Sequence, residues 1–233
     1  KLIGTTISRA TVDPMFEQRQ FDLVMFDEVS MAYVPQVIAA AALARDKFLF
    51  VGDFRQLAPI SQNPSAKILQ VDIFSYLKIV DANGDMYYHP WLVMLNEQRR
   101  MYPEIAAFPN KYVYSNMLDN HQVVINSEDL TRIVRREPLS GDALNLIDLS
   151  GSYCAADKNT DGSRFNILSA VVSFCTAVSA QKNHNKSIGI ITPYAAQTRL
   201  IRAMIKDYYN GGTSNICCAT VHQFQGSESD VVI

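Results

Sequence analysis

Residues 21–30 read FDLVMFDEVS. Four apolar residues, Leu23 to Phe26, run straight into two adjacent acids, Asp27 and Glu28. A short, continuous apolar run of this kind reads as a strand buried on both faces of a parallel sheet. Ligands of parallel sheets bind beyond the carboxyl ends of the strands, so acids at that end meet ligand rather than core. Successive residues in extended chain point to opposite sides, so the two acids can do two jobs. One can hold a magnesium ion, which keeps most of its waters and takes only one or two carboxylates. The other can polarise a water. The plain alternative is a strand ending in solvated acids, and this stretch alone does not separate the two.

Outward from this stretch the same pattern repeats. Apolar runs predict further strands at Phe48–Val51, Leu92–Leu95, Leu144–Leu149, Ile188–Thr192, Cys217–Val221 and Val231–Ile233. Between them lie predicted helices. Val34 to Arg45 is alanine-rich. Phe165 to Gln181 places Leu168, Val171, Val172, Cys175 and Val178 on one stripe, and Pro193 to Tyr208 does the same with Leu200, Ile201, Met204, Ile205 and Tyr208. Pro193 suits a first turn and Asn210-Gly211-Gly212 a stop. Strand and helix in alternation argue an α/β fold. The turn cluster Asp81-Ala82-Asn83-Gly84-Asp85 sets a domain boundary near residues 80–92, giving domains 1–90 and 91–233.

The chain has 233 residues, 48% of them hydrophobic, enough for one large or two small domains. A net charge of -2 and a pI of about 6.1 do not mark a basic nucleic-acid binder, although a neutral protein can still carry a positive groove. Residues 131–137, TRIVRRE, hold three arginines, read first as a solvated loop and second as a nucleic-acid patch. Cys154, Cys175, Cys217 and Cys218 form no CxxC pair, which argues against a zinc site or disulfide framework. Adjacent Cys217 and Cys218 read as small buried thiols. A reducing, cytoplasmic setting follows. No apolar run approaches the ~20 residues of a membrane helix, and KLIGTTISRA is not a signal peptide. Both ends fall inside segments that read as structured, so a fragment is expected.

A second segment, FLFVGDFRQLAPI at residues 48–60, also drives an apolar strand into polar residues. Gly52 lets the backbone turn sharply. Gln56 both donates and accepts, as suits a residue that reports a γ-phosphate. A generic turn accounts for Gly52-Asp53 but not for Gln56 and Pro59 at this distance from a strand ending in Asp-Glu.

Asp27-Glu28-Val29-Ser30 followed by Gly52-Asp53-Phe54-Arg55-Gln56-Leu57-Ala58-Pro59 resembles motifs II and III of superfamily 1 helicases, in the branch of the nonsense-mediated-decay RNA helicases and their bacterial relatives. Glu97-Gln98-Arg99-Arg100-Met101-Tyr102-Pro103 is similar to that family's Gln-Tyr-Arg-Met-His-Pro segment. Ile188 to Tyr194 with Gln197 is similar to its strand-to-helix nucleic-acid segment, and Ala219 to Asp230 to its motif V. Gly4 to Ala10 resembles the segment before motif II. These segments stand in family order along nearly the whole chain.

The resemblance implies two RecA-like parallel-sheet domains, both incomplete, and an ATP- and magnesium-dependent motor on single-stranded DNA or RNA, moving 5′ to 3′. Asp27 would position the metal, Glu28 would activate the attacking water, and Gln56 would contact the γ-phosphate or that water. Arg100 would reach the phosphates from the second domain, where its guanidinium forks onto phosphate oxygens; a surface salt bridge is the plain alternative. Gly226 and Glu228 would lie near phosphates and ribose. Thr6, Thr192, Tyr194, Thr220 and Gln225 would contact the nucleic acid, through the kind of hydroxyl and amide groups that bind phosphate without reading sequence. Tyr194 would stack on a base or simply pack at a helix start. His222 would be a strand contact or, by preference, an interdomain hydrogen-bonding residue.

Two departures stand out: Arg99 replaces the family tyrosine that stacks on adenine, and Tyr102 replaces the histidine after methionine. A third is larger. The chain holds no GxxxxGK[ST] loop and no Gly-Lys pair at all, so the phosphate-gripping lysine is absent. The family's arginine-bearing motif VI is missing too. This chain alone is therefore expected not to hydrolyse ATP. A non-catalytic nucleic-acid-binding module is the competing reading, and a different P-loop NTPase, disfavoured by the motif V pattern, is a third.

Overall fold

The computed structural model describes residues 2–61, 63, 65–80, 89–184 and 186–233. The chain forms two compact units, Lys1–Leu95 and Asn96–Ile233. The expected boundary cluster at residues 81–85 lies outside the described residues.

The first unit contains α1 (Ile7–Val12), β1 (Phe21–Phe26), α2 (Val34–Ala41), β2 (Ala44–Phe50) and α3 (Ile73–Tyr76). β1 and β2 pair in parallel, with Val24 beside Phe48 and Phe26 beside Phe50. Side chains alternate along each strand. Val24, Phe26 and Phe50 turn inward onto Val34, Val37, Ala40, Ile73 and Phe74, and the Phe26 and Phe50 rings meet edge-on at 5.1 Å. Burying each such side chain contributes about 1.5–3 kcal/mol. The other face is bare: Leu23, Met25 and Leu49 are 49%, 62% and 46% exposed. The expectation that this strand is buried on both faces is thus corrected, since helices cover one face only. Arg45, expected to end the preceding helix, instead opens β2 beside Asp22, with which it pairs.

The second unit runs β3 (Glu97–Gln98), α4 (Pro103–Tyr112), β4 (Asp119–Asn120), α5 (Gln122–Ile125), α6 (Glu128–Val134), β5 (Asp157–Lys158), β6 (Arg164–Phe165), α7 (Ile167–His184), β7 (Ile188–Thr192), α8 (Ala195–Tyr208), β8 (Ile216–Thr220), α9 (Val221–Phe224) and β9 (Val231–Val232). β7 lies between β8 and β9 in a three-stranded parallel sheet. Ile188, Ile190, Ile216 and Cys218 pack with Ala170, Ala177 and Ala180 of α7 and Ile201 of α8. On the other face of β7, Gly189 makes room for Phe224: a Cβ there would stand 2.6 Å from its Cζ.

Several expectations are corrected here. Leu92–Leu95 and Leu144–Leu149 are not strands; Val93, Leu95, Leu144 and Leu146 are exposed. An apolar run becomes a strand only where a neighbour offers it a hydrogen-bonding edge, and neither run has one. The buried stripe of α7 is Ala170, Ala177, Val178 and Ala180, whereas Val171 and Cys175 face outward. A helix apolar on most sides leaves the choice of face to the sheet, and small residues permit closer approach. Cys217 is exposed and Cys218 buried, as adjacent strand residues must be; burial pushes the Cys218 thiol up to about 11. TRIVRRE ends a helix rather than forming a loop: Arg132 pairs with Asp129, and Arg136 Nη1 donates to Asn183 O. The Asn210-Gly211 stop of α8 holds, with φ of 50° and 74°, while Pro193 sits just before the helix. Among the described residues no helix is long and apolar enough to cross a membrane.

Candidate functional site

At the carboxyl end of β1 the chain turns on Glu28, whose φ of 51° and ψ of 38° are left-handed. That conformation is costly for a residue with a Cβ. Asp27 Oδ1 accepts from Glu28 N at 3.1 Å, which leaves the Glu28 side chain exposed and uncommitted as a cap. The turn is held by β2: Val29 N donates to Val51 O at 3.0 Å, and Val51 N to Phe26 O at 2.9 Å. Gly52 follows, and its φ is not left-handed. What it needs is space, because a Cβ there would lie 3.1 Å from the backbone nitrogens of both Val29 and Ser30. The loop bearing Gln56 therefore presses directly on the turn bearing the acids. Gln56 Nε2 donates to Asp53 Oδ2 at 2.8 Å, and Asp53 Oδ1 accepts from Arg55 N at 3.0 Å. Asp27, Glu28 and Gln56 are all exposed. Beneath them the Ser30 hydroxyl is buried with no hydrogen-bond partner among the described residues.

This arrangement suits magnesium in part. Among the described residues no three acids, histidines or cysteines cluster as a metal cage, but this ion asks for only one or two carboxylates beside phosphate oxygens and waters. The exposed Asp27–Glu28 turn meets that demand. The phosphate-gripping half of such a site has no counterpart in a chain without a Gly-Lys pair.

In the second unit Gln98 organises the arginine loop, a role the sequence reading did not assign. Its Nε2 donates to Met101 O and to Asn120 Oδ1, at 2.9 and 2.6 Å. Its Oε1 accepts from Arg100 N and Met101 N, at 3.0 and 2.8 Å. The loop so fixed brings Arg100 Nε to 2.8 Å from Glu228 Oε2. Both side chains are more than 60% exposed, at 63% and 69%, so the pair is worth at most about 1 kcal/mol and exchanges readily for another anion. Arg99 turns instead to Glu97, 2.8 Å away. Gly226 has φ of 76° with open space around its Cβ position, so backbone conformation and not crowding requires glycine there.

The predicted strand contacts share one local structure. Thr6, Thr192 and Thr220 each accept a backbone N–H at the start of a turn or helix, from Arg9, Tyr194 and Gln223. A hydroxyl that accepts in this way keeps its own proton to donate, and exposed N–H groups at helix starts favour anions. Thr192 and Thr220 are register partners at the carboxyl ends of β7 and β8. Tyr194 is 41% exposed beside them. Both amide atoms of Gln225 are buried without a partner among the described residues, so they reach a ligand only after turning outward. His222 is exposed on α9.

Other residues hold these ends in place; Asp53, Gln197 and Asp230 stand inside the segments that carry the resemblance, which assigns them no role. Asp230 Oδ2 accepts from both the amide and hydroxyl of Ser187, at 3.0 and 2.6 Å, clamping β9 onto β7. Asp53 anchors the Gln56 loop. Gln197 holds the backbone of Asn166 through two hydrogen bonds, of 2.8 and 3.2 Å.

Residues 80–233 match a family model described as an AAA domain, and residues 1–63 match a second model of the same description. Curated relatives cover nearly the whole chain. It is 27% identical to the DNA polymerase alpha-associated DNA helicase A of Schizosaccharomyces pombe over 100% of this chain and 34% of that protein. It is 28% identical to the DNA replication ATP-dependent helicase/nuclease DNA2 of Xenopus laevis over 94% of this chain and 22% of that protein. It is 27% identical to helicase sen1 of Schizosaccharomyces pombe over 91% of this chain and 12% of that protein. The chain thus spans about a third or less of each of these proteins.

Proposed function

We propose a function from one premise: the chain belongs to the AAA domain family, within a distant relationship to superfamily 1 helicases. It comprises two AAA-type domains with parallel sheets, consistent with tandem RecA-like helicase cores. The chain is the part of an ATP-dependent helicase or translocase that activates water and holds the strand, in an engine that moves 5′ to 3′ along single-stranded DNA or RNA. Its four free thiols suit the reducing cytoplasm.

The observation that carries this reading is the turn at Asp27–Glu28. It is a pair of exposed acids on a left-handed backbone at a parallel strand's carboxyl end, pressed against the Gln56 loop. Asp27 would hold magnesium, whose charge would offset that of the nucleotide phosphates. Glu28 takes a proton from water, and Gln56 orients that water. Arg100, released from Glu228, supplies the cation that phosphoryl transfer needs, a contribution of about 10³–10⁵ in rate in such enzymes. Glu228, once free, accepts from a ribose hydroxyl, and Gly226 keeps the backbone close. Arg99 offers a plane for the base. Thr6, Thr192, Thr220 and Gln225 hold the phosphates of the strand, and Tyr194 stacks on a base.

Phosphate release with ATP, Mg²⁺ and an oligothymidylate tests the reading. The chain alone is expected to bind the strand and release no phosphate above background; robust turnover by it would overturn the expectation that the phosphate-gripping lysine must come from elsewhere. In a longer protein that joins this chain to a GxxxxGK[ST] loop, turnover is expected, and Glu28→Gln should lower it by about 10²–10⁴-fold. Turnover indifferent to that change would refute the role of Glu28. The missing Gly-Lys pair also favours a second reading, a strand-binding module without catalysis, which predicts binding but no turnover in the longer protein.

A further inference from the structure

A groove of about 330 Å³ opens at the carboxyl end of β7. Ile190 and Ile201, both nearly inaccessible, form its floor. Ser169 and Ser173, one turn apart on α7, form one wall. Tyr194 and Arg164 form the rim. None of its lining residues is acidic. The N-terminal ends of α7 and α8 both border it, through Asn166 and Tyr194, and these helices run 18 and 14 residues. Two helix N-termini and a guanidinium on one groove attract an anion.

The position of Arg164 is built, not incidental. It sits on the β5–β6 hairpin, which is tied to α8 at separate points. Ser163 Oγ accepts from Ala196 N at 3.0 Å, and Gln197 grips the Asn166 backbone from both sides. Asn166 Oδ1 in turn accepts from Ser169 N at 2.8 Å, joining the hairpin to α7. Arg164 is exposed, and among the described residues it forms no ion pair, unlike Arg199, which pairs with Asp161 of the same hairpin. Holding a hairpin so firmly while leaving its cation unpaired is what a ligand contact requires.

We propose that this groove is a one-nucleotide subsite for single-stranded nucleic acid, with Arg164 neutralising one backbone phosphate at its rim. The proposal rests on the single-strand reading above and adds to it a cation that the helicase resemblance did not supply. Tyr194 faces the same groove, so the nucleotide whose phosphate meets Arg164 places its base against the tyrosine ring. The serine hydroxyls of the wall meet the sugar.

Anisotropy titrations of the 233-residue chain with fluorescein-labelled oligothymidylate, repeated at several salt concentrations, test it. Arg164→Ala should weaken binding about three- to tenfold at low salt and flatten the slope of log K against log salt by about 0.7, the value of one phosphate contact on a single strand. Arg164→Lys should restore the slope. Lys206→Ala, at an exposed cation on the far end of α8, should leave it nearly unchanged. Binding by the wild type with the slope untouched by Arg164→Ala, or flattened equally by Lys206→Ala, would overturn the subsite while leaving the single-strand reading intact. No binding by the wild type at any salt would overturn the single-strand reading and the subsite with it.

Discussion

Glu28 shows how the surrounding structure can hold one residue in a costly conformation. Its backbone is left-handed, a state that costs a residue with a Cβ about 1–2 kcal/mol. Such strain persists where function or surrounding structure enforces it. Here the enforcement is visible in the hydrogen bonds from Val29 to Val51 and from Val51 to Phe26, and in the close seat of Gly52. Glu28→Gly should therefore stabilise the chain, by roughly 0.5–1 kcal/mol once the greater entropy of unfolded glycine is deducted. Glu28→Ala, which keeps the Cβ, should bring little of that gain. Urea denaturation of the three proteins decides the matter, and a glycine variant less stable than wild type would sink the strain account. Asp27 and Glu28 stand out in the sequence because an apolar strand runs straight into them, a pattern that alone fits a ligand site and a solvated strand end equally. The roles of Gln98, Asp53 and Gln197 were not legible: Gln98 meets Asn120 and Gln197 meets Asn166 only once the chain has folded, and Asp53 closes a local loop onto Arg55 N and Gln56 Nε2.

At the scale of elements, β9 is joined to β7 by a side-chain clamp as much as by its ladder. The Ser187 hydroxyl donates to Asp230 and, with help from the Ser187 amide, holds that carboxyl below the usual carboxylate range against a smaller opposing effect of burial. A depressed folded-state value means the clamp contributes stability above the unfolded-state value, and that contribution is lost as pH falls through the folded one. Asp230→Asn should lower the melting temperature at neutral pH. The difference from wild type should shrink as pH drops below the usual carboxylate range and the wild-type carboxyl also takes up a proton. A gap that stays constant over that range would show that the charge of Asp230 is irrelevant. The clamp also explains which strands the sequence disclosed. Ile188–Thr192 and Ile216–Thr220 lie where apolar runs foretold them. Leu92–Leu95 and Leu144–Leu149 have equally apolar sequences but no partner edge. Local composition reports a strand's fitness for a sheet and not whether a sheet is there to receive it. For the same reason the buried stripe of α7 fell on Ala170, Ala177 and Ala180 with Val178, and not on Val171 or Cys175.

At the scale of the molecule, each unit has its own core and neither depends on net charge, which is only -2 over 233 residues. A protein so nearly neutral gains little general repulsion between copies, so its apolar surface decides whether it stays dispersed. The first unit carries such a surface. Leu23 and Met25 on β1 and Leu49 on β2 lie on one face of a two-stranded sheet, each about half exposed or more. Lys47 of β2 lies beside Leu23 in the register. Contiguous apolar area on a sheet with open edges favours association. The 233-residue chain should therefore show a sedimentation coefficient that rises with concentration at neutral pH. Met25→Glu with Leu49→Lys places opposite charges side by side in the register, where they attract each other and are solvated together. That double variant should hold the chain monomeric over the same range while leaving the melting temperature within a few degrees, because the substituted side chains already face water. Association unchanged by the double variant would mean that another surface draws the copies together, and a large fall in melting temperature would mean that the bare face is covered after all.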